Sequence, residues 1–279
     1  MSRATSPRAG QPLLAVSLAV LLATAVVATG CGGRSTPPGP APATTPVSTA
    51  AVPTTTAAQG STTPPSSPAT DLTGFLSAAR LADQRIRHAA QLVSNGVGRT
   101  EIRFDRVTLD AVQASRPQTV AGTIPPGLDA PLLRAVLLVY SDLLARSAAF
   151  NRVLEVGTEP HPVGDPMAQQ VMACLAGGAA VAGHFAADLD SLQAVARATA
   201  PGPVVSPRSR AAAELAVRLT DLDLRNNGCG ACGGERFPEL QPIRWTATND
   251  SGYTGTVAGI RFTAAYRPGS GWQVELAAC

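Results

Sequence analysis

The sequence predicts an α+β fold: a bundle of about four helices followed by a C-terminal three-stranded antiparallel β-meander packed on it. Three observations carry this. Apolar residues recur at helical spacing in blocks between residues 71 and 228, and Pro, Gly and Asn separate the blocks. Past residue 237 the pattern changes to two-residue alternation between Gly-rich turns. The chain is 45% hydrophobic and only 4% aromatic, so the core must be built mainly from Ala, Leu and Val.

The first helix is expected from Asp71, where Leu72, Phe75, Leu76, Ala79, Ile86 and Val93 share a face and Asn95-Gly96 supplies the stop. Ile102-Arg103-Phe104 reads as a short strand, Val107 to Ala114 as a short helix, and Pro117 to Gly127 as a loop. A long helix should start after Asp129, an N-cap followed by a proline that the first turn tolerates. Its stripe of Leu132, Leu133, Val136, Leu137, Tyr140, Leu143 and Leu144 should continue to about Val156. Asp165-Pro166 repeats the cap-then-proline signal and opens a helix reaching about Thr199, unless Gly177-Gly178 breaks it. The run of small residues from Ala173 to Gly183 suits close helix packing. It lacks the roughly 20 strongly apolar residues of a membrane span. Pro201-Gly202-Pro203 ends that helix. Ser206-Pro207 opens the last, marked by Ala211, Leu215, Leu219 and Leu222 and stopped by Asn226-Asn227-Gly228.

Three strands are expected in the C-terminal part: Ile243 to Thr248, about Thr254 to Tyr266, and Trp272 to Ala277. Asn249-Asp250-Ser251-Gly252 and Arg267-Pro268-Gly269-Ser270-Gly271 read as their turns. Gly259 reads as a bulge within the second. Such a meander needs cover on one face, and the helices supply it.

The N-terminus carries Arg3 and Arg8, then the uncharged apolar stretch Leu13 to Val27, then Ala28-Thr29-Gly30-Cys31. This order is that of a secretory signal peptide, residues 1–30. Small residues ending on a Cys resemble the lipobox of bacterial lipoproteins, with Ala28 where Leu is usual. The resemblance implies a diacylglyceryl thioether on Cys31, with palmitate-type acyl chains on the glyceryl group, and cleavage just before that residue. Two acyl chains give stable anchoring. Residues 32–70 follow, with nine prolines among Thr, Ser and Ala and Arg34 as the sole charge. That composition cannot offset chain entropy by burial, so a disordered, extended tether is expected. Lipobox and tether together resemble actinobacterial cell-envelope lipoproteins, a likeness confined to residues 1–70. It places residues 71–279, helical to 228 and β-meander from 237, on the extracytoplasmic face of the cell membrane.

All 22 basic residues are Arg and the formal net charge is +3. Arg3 and Arg8 account for two of these charges, leaving +1, which is no footprint for nucleic acid. Without Lys there is no P-loop, Schiff-base lysine or Ser-Lys dyad. The G-x-S-x-G elbow, the H-E-x-x-H helix and the E-x-x-H pairs of a di-iron bundle are also absent. His184 and Asp188 stand at i and i+4, spacing that can seat a metal or orient an imidazole, but a surface pair or a satisfied interior His is the expected reading. His161 falls in a Pro-His-Pro loop and reads as exposed. His88 falls on an Arg-rich solvated face. No catalytic residue, metal ligand or cofactor is therefore expected.

Setting Cys31 aside, Cys174, Cys229, Cys232 and Cys279 form an even set in an exported chain, which reads as two disulfides. Cys229-Gly-Ala-Cys232 has the spacing of a thiol–disulfide centre. It lies in a Gly-rich loop between a helix and a meander, where a structural role is expected. If the helices from Pro166 and Pro207 form an antiparallel hairpin, counting along them at about 1.5 Å per residue brings Cys229 level with Cys174. The pairing is then Cys174–Cys229 and Cys232–Cys279. The function expected from all this is a non-enzymatic envelope module that binds or scaffolds an envelope protein or a small ligand. The alternatives are a hydrolase-like small-molecule enzyme, or a thiol–disulfide protein using Cys229 and Cys232.

Overall fold

The computed structural model describes residues 71–199, 205–228, 239–249 and 252–277, which belong to one unit. The expected signal peptide, Cys31, the tether, the Pro201-Gly202-Pro203 stop, Asp250-Ser251 and Cys229, Cys232 and Cys279 lie outside the described residues.

The chain is α+β, with a helical body and a C-terminal antiparallel sheet. Helix α1 (Thr73–Gly96) buries Phe75, Ala79, Ala82, Ile86, Ala89 and Val93 along one face and ends at the predicted Asn95-Gly96. Asp71 accepts the Thr73 N–H at 2.8 Å; the Thr73 side chain first, and then this N–H, hold its carboxyl below the usual value. Strand β1 (Glu101–Ile102) precedes α2 (Arg106–Ala114), whose N-cap Asp105 accepts from both the Thr108 N–H and hydroxyl. A short helix, α3 (Gln118–Ala121), stands inside the expected loop.

The central element is α4 (Ala130–Ala148). Asp129 caps it as expected, accepting the Leu132 N–H at 3.0 Å. From Val139 to Ala148 every residue is buried, because α1, α6, α7 and α8 all pack against this helix. A helix enclosed on all sides loses its amphipathic stripe. The expected continuation to Val156 is interrupted: α5 (Asn151–Val156) follows a tight turn in which Phe150 N–H reaches Ser147 O at 3.1 Å.

Strand β2 (His161–Pro162) pairs antiparallel with β1. His161, expected in an exposed loop, is thus a half-buried residue of a two-residue ladder, with Nδ1 3.8 Å from Asp165 Oδ2. Helix α6 (Pro166–Ala182) starts at the predicted Asp165 cap, which accepts Met167 N–H at 2.7 Å. It does not run to Thr199. It stops at Gly183, and α7 (Phe185–Ala198) begins after His184. Gly177-Gly178 stays helical. Gly178 is there for close approach, since a Cβ on it would lie 2.5 Å from the Ala149 Cβ. The stretch Pro166–Ala198 is long and apolar enough to cross a membrane by length and composition, but it breaks at Gly183 and packs on α4. Helix α8 (Arg210–Asn227) is capped by Ser209, not by the expected Ser206; Pro207-Arg208 form a turn closed by Ser209 N–H to Ser206 O.

The sheet has four strands, not three: β3 (Ile243–Asn249), β4 (Gly252–Val257), β5 (Ile260–Arg267) and β6 (Gly271–Leu276), in sequential antiparallel order. The expected single strand through Gly259 is a hairpin. Ala258 and Gly259 both have positive φ, 49° and 83°, the signature of a two-residue type I′ turn. Gly259 therefore reverses the chain instead of bulging it. The sheet's inner face, with Val257, Phe262 and Ala264, packs on Val217 of α8. Trp245, Tyr253, Tyr266 and Trp272 extend this face as a chain of edge-on and tilted rings with centroids 5.1–5.5 Å apart. Arg208 and Arg210 lie over Tyr266 and Trp245 at 5.0 and 4.8 Å. Trp272 Nε1 donates to Pro207 O at 2.9 Å. The helices thus supply the cover the meander needs.

Candidate functional site

Both α1 and α6 pack on α4, but they make no extended contact with each other. The trough between them is a groove of about 460 Å³, within the range of small-molecule sites. One wall is a stripe of α1, Ile86, Arg87, Ala90, Val93 and Ser94, with Val97 just past its end. At 1.5 Å per residue this wall is about 17 Å long. The other wall is Leu175, Gly178, Ala179 and Ala182 of α6. The floor is the end of α4 and the turn after it, Arg146, Ala149 and Phe150. The sequence makes the α6 wall low: Gly178 has no side chain, and Ala179 and Ala182 have little more. No residue of α6 is charged.

The groove has one polar end. Asp83, buried on α1, bridges two arginines. Its Oδ1 accepts from Arg146 Nη1 at 2.7 Å, and its Oδ2 accepts from Arg87 Nη2 one turn along the same helix. Arg146 is enclosed, its side chain 6% exposed, while that of Arg87 is 70% exposed. The Arg146 guanidinium also lies over the Phe185 ring at 5.7 Å, a cation–π contact that fixes its plane. Removing one partner of such an enclosed pair strands the other's charge, which costs about 3–5 kcal/mol. Arg146 is therefore a fixed part of the scaffold, and Arg87 is the exposed member of the triad.

No family model, curated protein or solved structure matches the chain. The groove's chemistry has to carry the reading.

The histidines singled out in the sequence do not line it. His88 and His184 are exposed, and His161 belongs to the β1–β2 ladder. The i, i+4 relation of His184 and Asp188 includes the helical backbone bond, Asp188 N–H to His184 O at 3.0 Å. Among the described residues no group of three His, Cys, Asp or Glu is placed to hold a metal. Cys174 is buried on α6 and disulfide-bonded, and every other cysteine lies outside the described residues. The hairpin of the Pro166 and Pro207 helices, which placed Cys229 beside Cys174, does not form as drawn, because the first of them breaks at Gly183.

Sequence reading missed Asp83, Arg87 and Arg146. A signal for the first was present. Asp83 stands four residues after Ala79 and three before Ile86, on the apolar stripe of α1, where an acid must find a buried partner. Its partner is 63 residues away, a separation periodicity cannot bridge.

A second, polar cavity of about 440 Å³ lies between α3, α5, α8 and the link before α3, lined by Arg116, Gln118, Asn151, Arg152, Asp223 and Asn227, among others. Its side chains largely satisfy one another: Arg152 pairs with Glu155, and Asn151 Nδ2 donates to Asn227 Oδ1 at 3.1 Å. It presents no nucleophile beside a base.

Proposed function

We propose that this chain is a lipid-anchored, extracytoplasmic binding module whose α1–α4–α6 groove receives the apolar part of a small envelope ligand. The observation that carries the reading is the groove itself, apolar along both walls and open at its mouth. Binding sites have this make-up: apolar lining with a few placed polar groups. The Ala28-Thr29-Gly30-Cys31 motif and the Pro/Thr tether favour anchorage at the membrane through Cys31. A tether at that point gives the groove access to molecules of the envelope.

The experiment is displacement of an environment-sensitive apolar dye, N-phenylnaphthylamine, from the full chain, compared with the Ala179→Phe variant. Ala179 is exposed on the α6 wall, so a ring there fills the groove without disturbing the core. The dye should bind the wild-type chain and bind the variant at least tenfold more weakly. Equal binding by both would refute the reading. Anchorage is tested separately: Cys31→Ala should leave the chain unprocessed or released from the membrane fraction.

Two other functions stay in play as alternatives. A hydrolase-like enzyme would draw on the polar cavity around Arg116 and Asp223. A thiol–disulfide protein would draw on Cys229 and Cys232. Neither predicts that filling the groove alters dye binding.

A further inference from the structure

Resting on that reading, we propose that the groove selects anionic amphiphiles: an alkyl chain lies along α1 and α6, and a carboxylate or phosphate head is held at the Arg87–Arg146 end. Charge at the groove decides the selection. Among the described residues the only charged ones lining the groove are these two arginines, and none is an acid. Asp83 pairs with both, so the triad of Asp83, Arg87 and Arg146 has a formal charge of +1. A guanidinium has five N–H donors, and the contact of Arg87 with Asp83 occupies one of them. An anionic head completes this charge balance, a neutral head gains nothing from it, and a cationic head opposes it. Beside low-dielectric walls that difference is larger than in open water.

The direction of the ligand follows from α1. Arg87 stands at one end of the lining stripe and Val97 about three turns away. The walls between them are apolar apart from Ser94. A head at Arg87 therefore lays its chain toward Val97 and Leu175, and each CH₂ buried there adds about 0.8 kcal/mol. Arg146 cannot swing to meet the head, being enclosed and held by Asp83 and Phe185. It fixes Asp83, and through it the exposed Arg87.

The test uses the full chain and a diazirine-bearing palmitate, photocrosslinked and mapped by peptide mass spectrometry, with competing ligands of one chain length. Crosslinks should fall on the α1 and α6 peptides. Palmitate and lysophosphatidate should compete at least about tenfold better than hexadecanol, a step of 1.4 kcal/mol. Whichever of the two competes better identifies the head as carboxylate or phosphate. Hexadecyltrimethylammonium should compete worst. Arg87→Gln should bring palmitate competition down to the level of hexadecanol measured on the same variant; because Arg87 is largely exposed, this variant keeps the fold. Crosslinks on α1 and α6 with equal competition by palmitate and hexadecanol would overturn the charge selection and leave the apolar groove standing. An absence of crosslinks from both helices would overturn the groove reading as well.

Discussion

Gly178→Ala is the substitution whose sign the structure reverses. In a helix interior, replacing Gly by Ala ordinarily stabilises by about 1 kcal/mol. In α6 the new Cβ would lie 2.5 Å from the Ala149 Cβ and 3.6 Å from the Arg146 carbonyl oxygen. Carbon atoms attract best at about 3.5–4.0 Å, so one helix must move by roughly 1 Å. Forcing a methyl into a packed contact costs about 1–3 kcal/mol. The contact outweighs the propensity, and the variant should lose about 1 kcal/mol net. For a domain of this size that is a fall of about 2–4 °C in the unfolding midpoint, read by far-ultraviolet circular dichroism. Gly74→Ala on α1, where a Cβ meets nothing within 4 Å, is the control and should not fall. The partner change supplies the decisive arm. In an Ala149→Gly background the obstruction is gone, and Gly178→Ala should stabilise. If it stabilises the wild-type chain too, α6 does not sit on α4 as described, and the depth of the groove is wrong with it.

Three further outcomes are expected. Ala258 holds φ = +49° in the β4–β5 turn, a conformation that costs a Cβ-bearing residue roughly 1–2 kcal/mol, so Ala258→Asn should raise the melting midpoint by a few degrees, and an unchanged or lower midpoint would argue against a type I′ turn. Burial, and next the nearby Asp223 carboxylate, push the Tyr140 hydroxyl far above its ordinary value near 10. The unfolded chain then loses that proton first, stability falls as pH rises past about 10, and in a chain without Lys the fall should be visibly shallower in Tyr140→Phe. The pairing Cys174–Cys229 with Cys232–Cys279 keeps a different support from the one counted along the sequence: Asn227, two residues before Cys229, touches Asn151 of α5, and α5 packs on α6. Non-reducing peptide mapping should recover it, and by the loop-entropy estimate loss of the first bond costs about 4 kcal/mol; a Cys229–Cys232 bond would refute the pairing and favour the redox alternative.

What the sequence made legible is what local chemistry decides. Asp129 and Asp165, each followed within two residues by Pro, fixed two helix starts because a carboxylate satisfies the free N–H groups there whatever the tertiary setting. The alternation of Phe262, Ala264 and Tyr266 set the inner face of the sheet. Where the reading went astray, distant packing decided. The turn at Ala149-Phe150 carries neither Gly nor Pro. Gly178 looked like the weak point of its helix, yet its missing side chain serves the contact with α4, and the break falls at Gly183 instead. The second hairpin has Ala where its turn type favours Asn, so the reversal left only Gly259 as a sign. The groove was illegible for a further reason: it is the gap between two helices sharing a third, and no single segment encodes a gap. Only Asp83, an acid on an apolar stripe, marked the place.

The most direct measurement is native mass spectrometry of the full chain isolated from membranes, beside the Ala179→Phe variant isolated in the same way. An apolar groove with a cationic end should retain one amphiphile per chain. The wild-type protein should therefore carry an added mass, released on activation as an anion, and the variant should carry none. Equal occupancy of the two proteins by the same molecule would contradict the assignment of the α1–α4–α6 groove as the binding site.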